Sequence, residues 1–132
     1  MNIETIGNLA SSADTSSVEL QDLQSELRRF AEDRDWEQFH TLRNLLFALI
    51  AEMGELAETV QWQEDASFEK LEKDIDLKKA FEEEISDVFL YLIRLADLAN
   101  IDLVNTAYNK IQKNSERYSI EKAKGNSRKQ PK

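Results

Sequence analysis

The stretch NLLFALIAEMGELAETVQW, Asn44–Trp62, decides how the rest of the chain reads. Leu45, Leu49 and Leu56 recur at helical spacing, and the spacing predicts a helix from about Thr41 to Trp62. Its run Leu45–Ala51 is apolar on every side. A helix apolar all round needs cover all round, more than one small bundle supplies, so a subunit interface is expected along it. Glu52 falls on the apolar stripe itself: three residues after Leu49, seven after Leu45 and four before Leu56. Glu55 shares its face at i, i+3. A carboxylate in that position is costly unless it is paired or neutralised.

The same anomaly recurs further on. In EEISDVFLYLIRLA, Glu83–Ala96, Glu84 lies three after Phe81, seven after Leu77 and four before Val88, and Asp87 follows at i, i+3. If the two helices are neighbours, four carboxylates converge. Two like charges 4 Å apart repel by about 4 kcal/mol at an effective dielectric near 20. Such a cluster takes up protons or holds cations, and an all-oxygen donor set favours a hard ion such as Mg²⁺ bridging to substrate phosphates. Glu-x-x-Glu also occurs in acidic helices where both members are solvated. Glu58, Glu82 and Glu83 read as that kind of solvated face and are not assigned to a metal.

Outward from these two helices the chain stays helical. Ser16 with Glu19 forms a capping-box signature, and Leu20, Leu23, Leu27 and Phe30 follow at helical spacing until about Asp33–Asp35. Residues 63–75 read as a charged connection with room for one short turn. Asp76 is the expected cap of the helix that ends near Ala99, with Leu77, Phe81, Val88, Leu92 and Leu95 on its stripe. Asn100 or Asp102 caps a fourth helix carrying Leu103, Val104, Ala107 and Ile111 and ending near Glu121. The expected organisation is a flexible segment over 1–15, one helical domain over 16–121 and a basic, flexible tail over 122–132.

Composition agrees and narrows the class. In 132 residues there are 3 Gly and 1 Pro, and the Pro is Pro131, so long stretches lack helix breakers and no alternating strand pattern is present. The fold class is therefore all-α. There is no Cys, which excludes disulfides and thiolate metal sites and fits a reducing, cytoplasmic setting. No signal peptide is expected, because no basic region precedes an apolar stretch at the N-terminus. The apolar runs are too short to span a bilayer. A net charge of −9 disfavours nucleic acid polymers, which bind clustered Lys and Arg. It does not exclude a small phosphorylated ligand, since a bound divalent cation reverses the local field.

Taken together, Asn44–Trp62 and Glu83–Ala96, with DWEQFH (Asp35–His40) before them and KIQKNSERY (Lys110–Tyr118) after, closely resemble the MazG-like all-α nucleoside triphosphate pyrophosphohydrolases, and within them the dCTP pyrophosphatase branch. The resemblance covers about residues 20–118. It implies a four-helix-bundle-type fold assembled into dimers or tetramers. It also implies hydrolysis of a dNTP between the α and β phosphates, giving dNMP and pyrophosphate, as nucleotide-pool house-cleaning. The metal ligands it implies are Glu52, Glu55, Glu84 and Asp87, holding Mg²⁺, with Mn²⁺ as a substitute. It places Trp36, His40, Asn44, Trp62 and Tyr91 at the nucleotide pocket, and Lys110, Asn114, Arg117 and Tyr118 on a substrate-contacting segment. Two positions depart from the pattern: Leu27 stands where relatives often carry a His, and Ser119 follows Tyr118 where Pro is common. The first leaves base selectivity open.

The residues themselves add some support. Lys110, Asn114 and Arg117 are spaced i, i+4, i+7 and share a helix face suited to a polyphosphate, or equally to solvent. Asn114 continues the 104, 107, 111 stripe, so it is expected to be buried with partners. His40, the sole His, precedes a helix start and is assigned to substrate binding. Trp36 and Trp62 lie near helix ends, where a ring is free to stack on a base. Tyr91 is seven after Glu84 and is expected to face the same cavity. Among the carboxylates Glu55 is the expected aid to the attacking water, a role the sequence alone does not fix. Competing readings are a broad-specificity or dUTP-type all-α hydrolase, and a non-catalytic helical interaction module.

Overall fold

The computed structural model describes the backbone of residues 3–132 and the side chains from residue 18 onward. Every regular element among them is helical: α1 Ile3–Asp33, a 3₁₀ turn Glu37–Phe39, α2 Leu42–Gln61, α3 Phe68–Lys73, α4 Ile75–Leu98, α5 Leu103–Arg117 and α6 Ile120–Ala123. The all-α expectation holds. α1 runs through residues 16–19, so the helix does not start at the Ser16–Glu19 pair. Residues 3–15, expected as part of a loose segment, lie within α1, and their side chains are outside the described set. No described helix is long and apolar enough to cross a membrane.

The helix starts have local causes. Thr41 Oγ1 accepts the Asn44 N–H at 3.2 Å and opens α2. Ser67 does the same for Lys70 at 3.1 Å, which turns part of the charged connection into α3. Asp74, not Asp76, caps α4 by accepting from Leu77 N at 3.1 Å. Asp76 then lies in the first turn, where an acidic side chain favours the helix dipole. Asp102 caps α5 through Asn105 N at 3.0 Å. Each such cap contributes about 1 kcal/mol. Asp35 and Asn100, with φ of 53° and 55°, take the left-handed turns that follow α1 and α4, a conformation short polar side chains tolerate best after glycine.

Helices α2 and α4 make the main packing contact, with α1 and α3 laid against α4. They run antiparallel, because His40 beside the start of α2 meets Arg94 near the end of α4, while Glu52 meets Glu84 midway. The core is small: Ala31, Leu45, Leu77, Ile93 and Ala96. Leu45 and Ile93 are fully buried, each stabilising the fold by roughly 1.5–3 kcal/mol. Of the apolar run on α2, Leu45 is covered by this packing, Ala48 and Leu49 are half-covered, and Leu46, Phe47 and Ile50 are exposed. Among the described residues α5 makes no comparable contact with the other helices, and its Tyr108 and Ile111 face solvent.

Candidate metal and nucleotide site

The α2–α4 seam carries the carboxylates. Ligand oxygens of Glu52, Glu55 and Glu84 all lie within 4.8 Å of one another. Glu52 and Glu84 are half-buried and Glu55 is exposed. Burial, then the charges of Glu55, Asp87 and Glu84, push the Glu52 carboxyl above the usual range. Burial, then Glu55 and Asp87, do the same to Glu84. Oε2 of Glu52 and Oε2 of Glu84 are buried without a hydrogen-bond partner. A folded protein rarely leaves such atoms unsatisfied unless something else fills the need. Crowded, hard oxygen donors with free lone pairs fit a divalent cation. Glu58, Glu82 and Glu83 are exposed, as their spacing suggests.

Asp87 stands outside the tight trio, yet it acts electrostatically on both Glu52 and Glu84. It also lines a cleft of about 490 Å³ between α1 and α4. Apolar cover comes from Leu23, Leu27, Phe30 and Leu90, and the polar and aromatic groups are Trp36, His40, Tyr91 and Arg94. Trp36 sits edge-on to Phe30, with ring centroids 5.8 Å apart, and to His40 at 6.5 Å. Arg94 Nε donates to His40 Nδ1 at 3.2 Å. Burial and then the Arg94 charge hold the His40 pKa below its ordinary value. A concave, mostly apolar wall with a few placed polar groups, one step from a carboxylate cluster, suits a base joined to phosphates.

Several expected substrate residues lie elsewhere in the chain. Asn44 is exposed at the start of α2, its Nδ2 donating to the Phe39 carbonyl at 2.9 Å. Trp62 is 85% exposed just past α2 and does not line the cleft. Lys110 and Asn114 are exposed on α5. Asn114 is therefore not the buried amide its register suggested, because among the described residues the stripe it continues is left uncovered beyond the half-buried Val104. Arg117 is half-buried and donates Nε to the Gln130 carbonyl at 2.8 Å, and its guanidinium lies 5.1 Å from the Tyr118 ring. Arg94 is a residue the sequence reading missed. Its signal was spacing: it lies seven after Asp87 and three after Tyr91, on their helix face.

The profile of the MazG-like family matches residues 48–131. The chain belongs to the MazG-like family. It is 42% identical to dCTP pyrophosphatase 1 of Rattus norvegicus over 106 residues, 80% of this chain and 62% of the rat protein. It is also 42% identical to the Homo sapiens dCTP pyrophosphatase 1 over 110 residues, 83% of this chain and 65% of the human one. The chain thus spans somewhat under two thirds of the length of these curated relatives. A crystallised pyrophosphatase from Archaeoglobus fulgidus DSM 4304 superposes with a TM-score of 0.69 at 36% identity, covering 76% of this chain and 93% of that one. This MazG-like chain thus shares both fold and much sequence with proteins bearing those names.

Proposed function

We propose that the chain is a Mg²⁺-dependent nucleoside triphosphate pyrophosphohydrolase that cleaves dCTP, or a modified dCTP, to the monophosphate and pyrophosphate. The similarity to dCTP pyrophosphatase 1 and to an archaeal pyrophosphatase supports the reaction. One structural observation carries it. Among the described residues, the buried side-chain polar atoms without a partner are Glu52 Oε2, Glu84 Oε2 and Arg94 Nη2. Two sit in the carboxylate trio and one in the adjoining cleft, with Asp87 between them.

Glu52, Glu55, Glu84 and Asp87 would hold the cation. A divalent ion there, Mg²⁺ or Mn²⁺ in its place, supplies charge neutralisation for the triphosphate and a water of lowered pKa. Glu55, the exposed member of the trio, orients the attacking water and takes its proton. Trp36 and Tyr91 hold the base against the cleft wall, and His40 hydrogen-bonds to it. The reaction proposed is direct attack of water on the α-phosphate and requires no covalent intermediate; there is no Cys, and His40 pairs with Arg94.

Asn44, Trp62, Lys110, Asn114, Arg117 and Tyr118 stand clear of their own chain's cleft. We assign them to the nucleotide of a neighbouring subunit in a dimer or tetramer, where a four-helix bundle is completed. The uncovered Leu46, Phe47 and Ile50 of α2 and Tyr108 and Ile111 of α5 support that assembly. A cytoplasmic location, where the nucleotide pool lies, belongs to the same reading.

The test is incubation with each dNTP and Mg²⁺, with a chelator control, resolving products by ion-exchange chromatography. The expected products from dCTP are dCMP and pyrophosphate, with dCTP turned over faster than the other triphosphates and turnover abolished by the chelator. Release of dCDP and orthophosphate, or no turnover of any triphosphate, overturns the reading.

A further inference from the structure

Arg94 is the one buried charged residue of the described core, 4% exposed. Its guanidinium is held from two sides. Nη1 lies 3.7 Å from the Asp97 carboxylate, which Arg28 also engages. Nε donates to Nδ1 of His40 at 3.2 Å. Nη2 has no hydrogen-bond partner, its nearest carboxylate being Glu37 at 4.0 Å. Arg94 and His40 both line the cleft.

A guanidinium only donates. Nδ1 of His40 must therefore accept, and the single proton of the neutral imidazole is left on Nε2. A neighbouring bond selecting the tautomer is the ordinary way a protein fixes an imidazole's role. We propose that Arg94 determines the specificity of the cleft by holding His40 as the Nε2–H tautomer, so that a fixed donor on the cleft wall reads an acceptor on the ligand's edge.

The consequence for the ligand rests on the nucleotide reading above. Cytosine presents two adjacent acceptors, N3 and O2. Uracil and thymine place an N3–H donor between two carbonyls. A fixed Nε2–H donor set opposite N3 therefore favours cytosine and faces another donor in uracil. Sites built on buried hydrogen bonds discriminate strongly, because the wrong partner leaves polar groups unmatched.

His40 is the sole histidine, so its imidazole ¹⁵N signals are unambiguous. The wild-type protein at mildly alkaline pH is expected to show the Nε2–H pattern alone. Arg94→Met and Arg94→Gln are expected to give mixed tautomers; the glutamine variant, whose amide either donates or accepts, keeps a polar group beside Asp97 should the methionine variant unfold. The ratio of kcat/KM for dCTP over dUTP is expected to fall by about tenfold or more in either variant, mostly through KM for dCTP. A wild-type Nδ1–H pattern, or an unchanged pattern in a folded variant, overturns the assignment. A shifted pattern with unchanged discrimination overturns the specificity claim. If the wild type turns over no triphosphate, the activity reading fails by itself. The proposal is then decided by whether dCMP, and not dUMP, moves the His40 Nε2 signal.

Discussion

Arg28 on α1 reaches Asp97 on α4 through two hydrogen bonds, Nε at 2.8 Å and Nη2 at 2.5 Å, one to each carboxylate oxygen. The Asp97 side chain is only 9% exposed, and Arg94 lies behind it. The Arg28 hydrogen bonds hold the Asp97 carboxyl below the usual carboxylate range. Its contribution is therefore present above the unfolded value and fades as pH falls through the lower, folded one. Asp97→Asn removes the counter-charge of a buried guanidinium and is expected to destabilise the fold by on the order of 2–3 kcal/mol, read from urea denaturation. Arg28→Met, at a half-exposed position, is expected to lose less. An unchanged midpoint in Asp97→Asn would show that the pair ties nothing together.

His40 supplies a second pH effect of its own. Burial and the Arg94 charge depress its folded pKa, so the unfolded chain takes the proton first as pH falls. Stability is then flat above about pH 6.5 and declines below it until the folded His40 also titrates. Thermal midpoints measured from about pH 5 to 8 are expected to show this slope in the wild type and to lose it in His40→Asn. Parallel profiles for the two proteins would remove His40 as the cause.

Much of this was legible in the order of residues, and the exceptions share a cause. Helical periodicity placed Glu52 and Glu84 on apolar seams, and the two seams do meet across α2 and α4. Periodicity says which residues share a face; it does not say which faces find a neighbour. The stripe through Val104, Ala107 and Ile111 reads as a core face, yet among the described residues nothing covers Ile111, and Asn114 is exposed with it. The start of α4 was misplaced by two residues because Asp74 and Asp76 are both competent caps, and only the Leu77 N–H position chooses between them. Arg94 was passed over because a cation inside an apolar stretch reads as solvated until Asp97 and His40 are seen beside it.

The carboxylate trio makes a prediction about stability without substrate. Glu52→Gln preserves shape and removes one of the crowded charges. Without divalent metal its thermal midpoint is expected to equal or exceed that of the wild type, since like-charge repulsion falls. Added Mg²⁺ is expected to raise the wild-type midpoint, because an ion that binds only the folded state stabilises it, and to raise the variant's far less. Pyrophosphate release is expected to drop by about a hundredfold or more. Full activity in Glu52→Gln, with an undiminished response to Mg²⁺, would remove Glu52 from the metal site.

The uncovered face of α2 makes the last prediction. Phe47 is 64% exposed, flanked by exposed Leu46, Ile50 and Met53. Contiguous apolar surface of this kind marks an interaction site more often than a solvated one. If a second copy covers it, a charge placed there must either be buried unpaired or split the assembly, and splitting costs less. Phe47→Glu is therefore expected to sediment as a 15.3 kDa monomer, while the wild type runs at a multiple of that mass. Because Phe47 already faces solvent within its own chain, the variant is expected to keep its helical circular dichroism. Turnover should fall, since Lys110 and Arg117 are assigned to a neighbouring subunit's nucleotide. A wild type that is monomeric at working concentrations, and active as such, would remove both the assembly and that assignment.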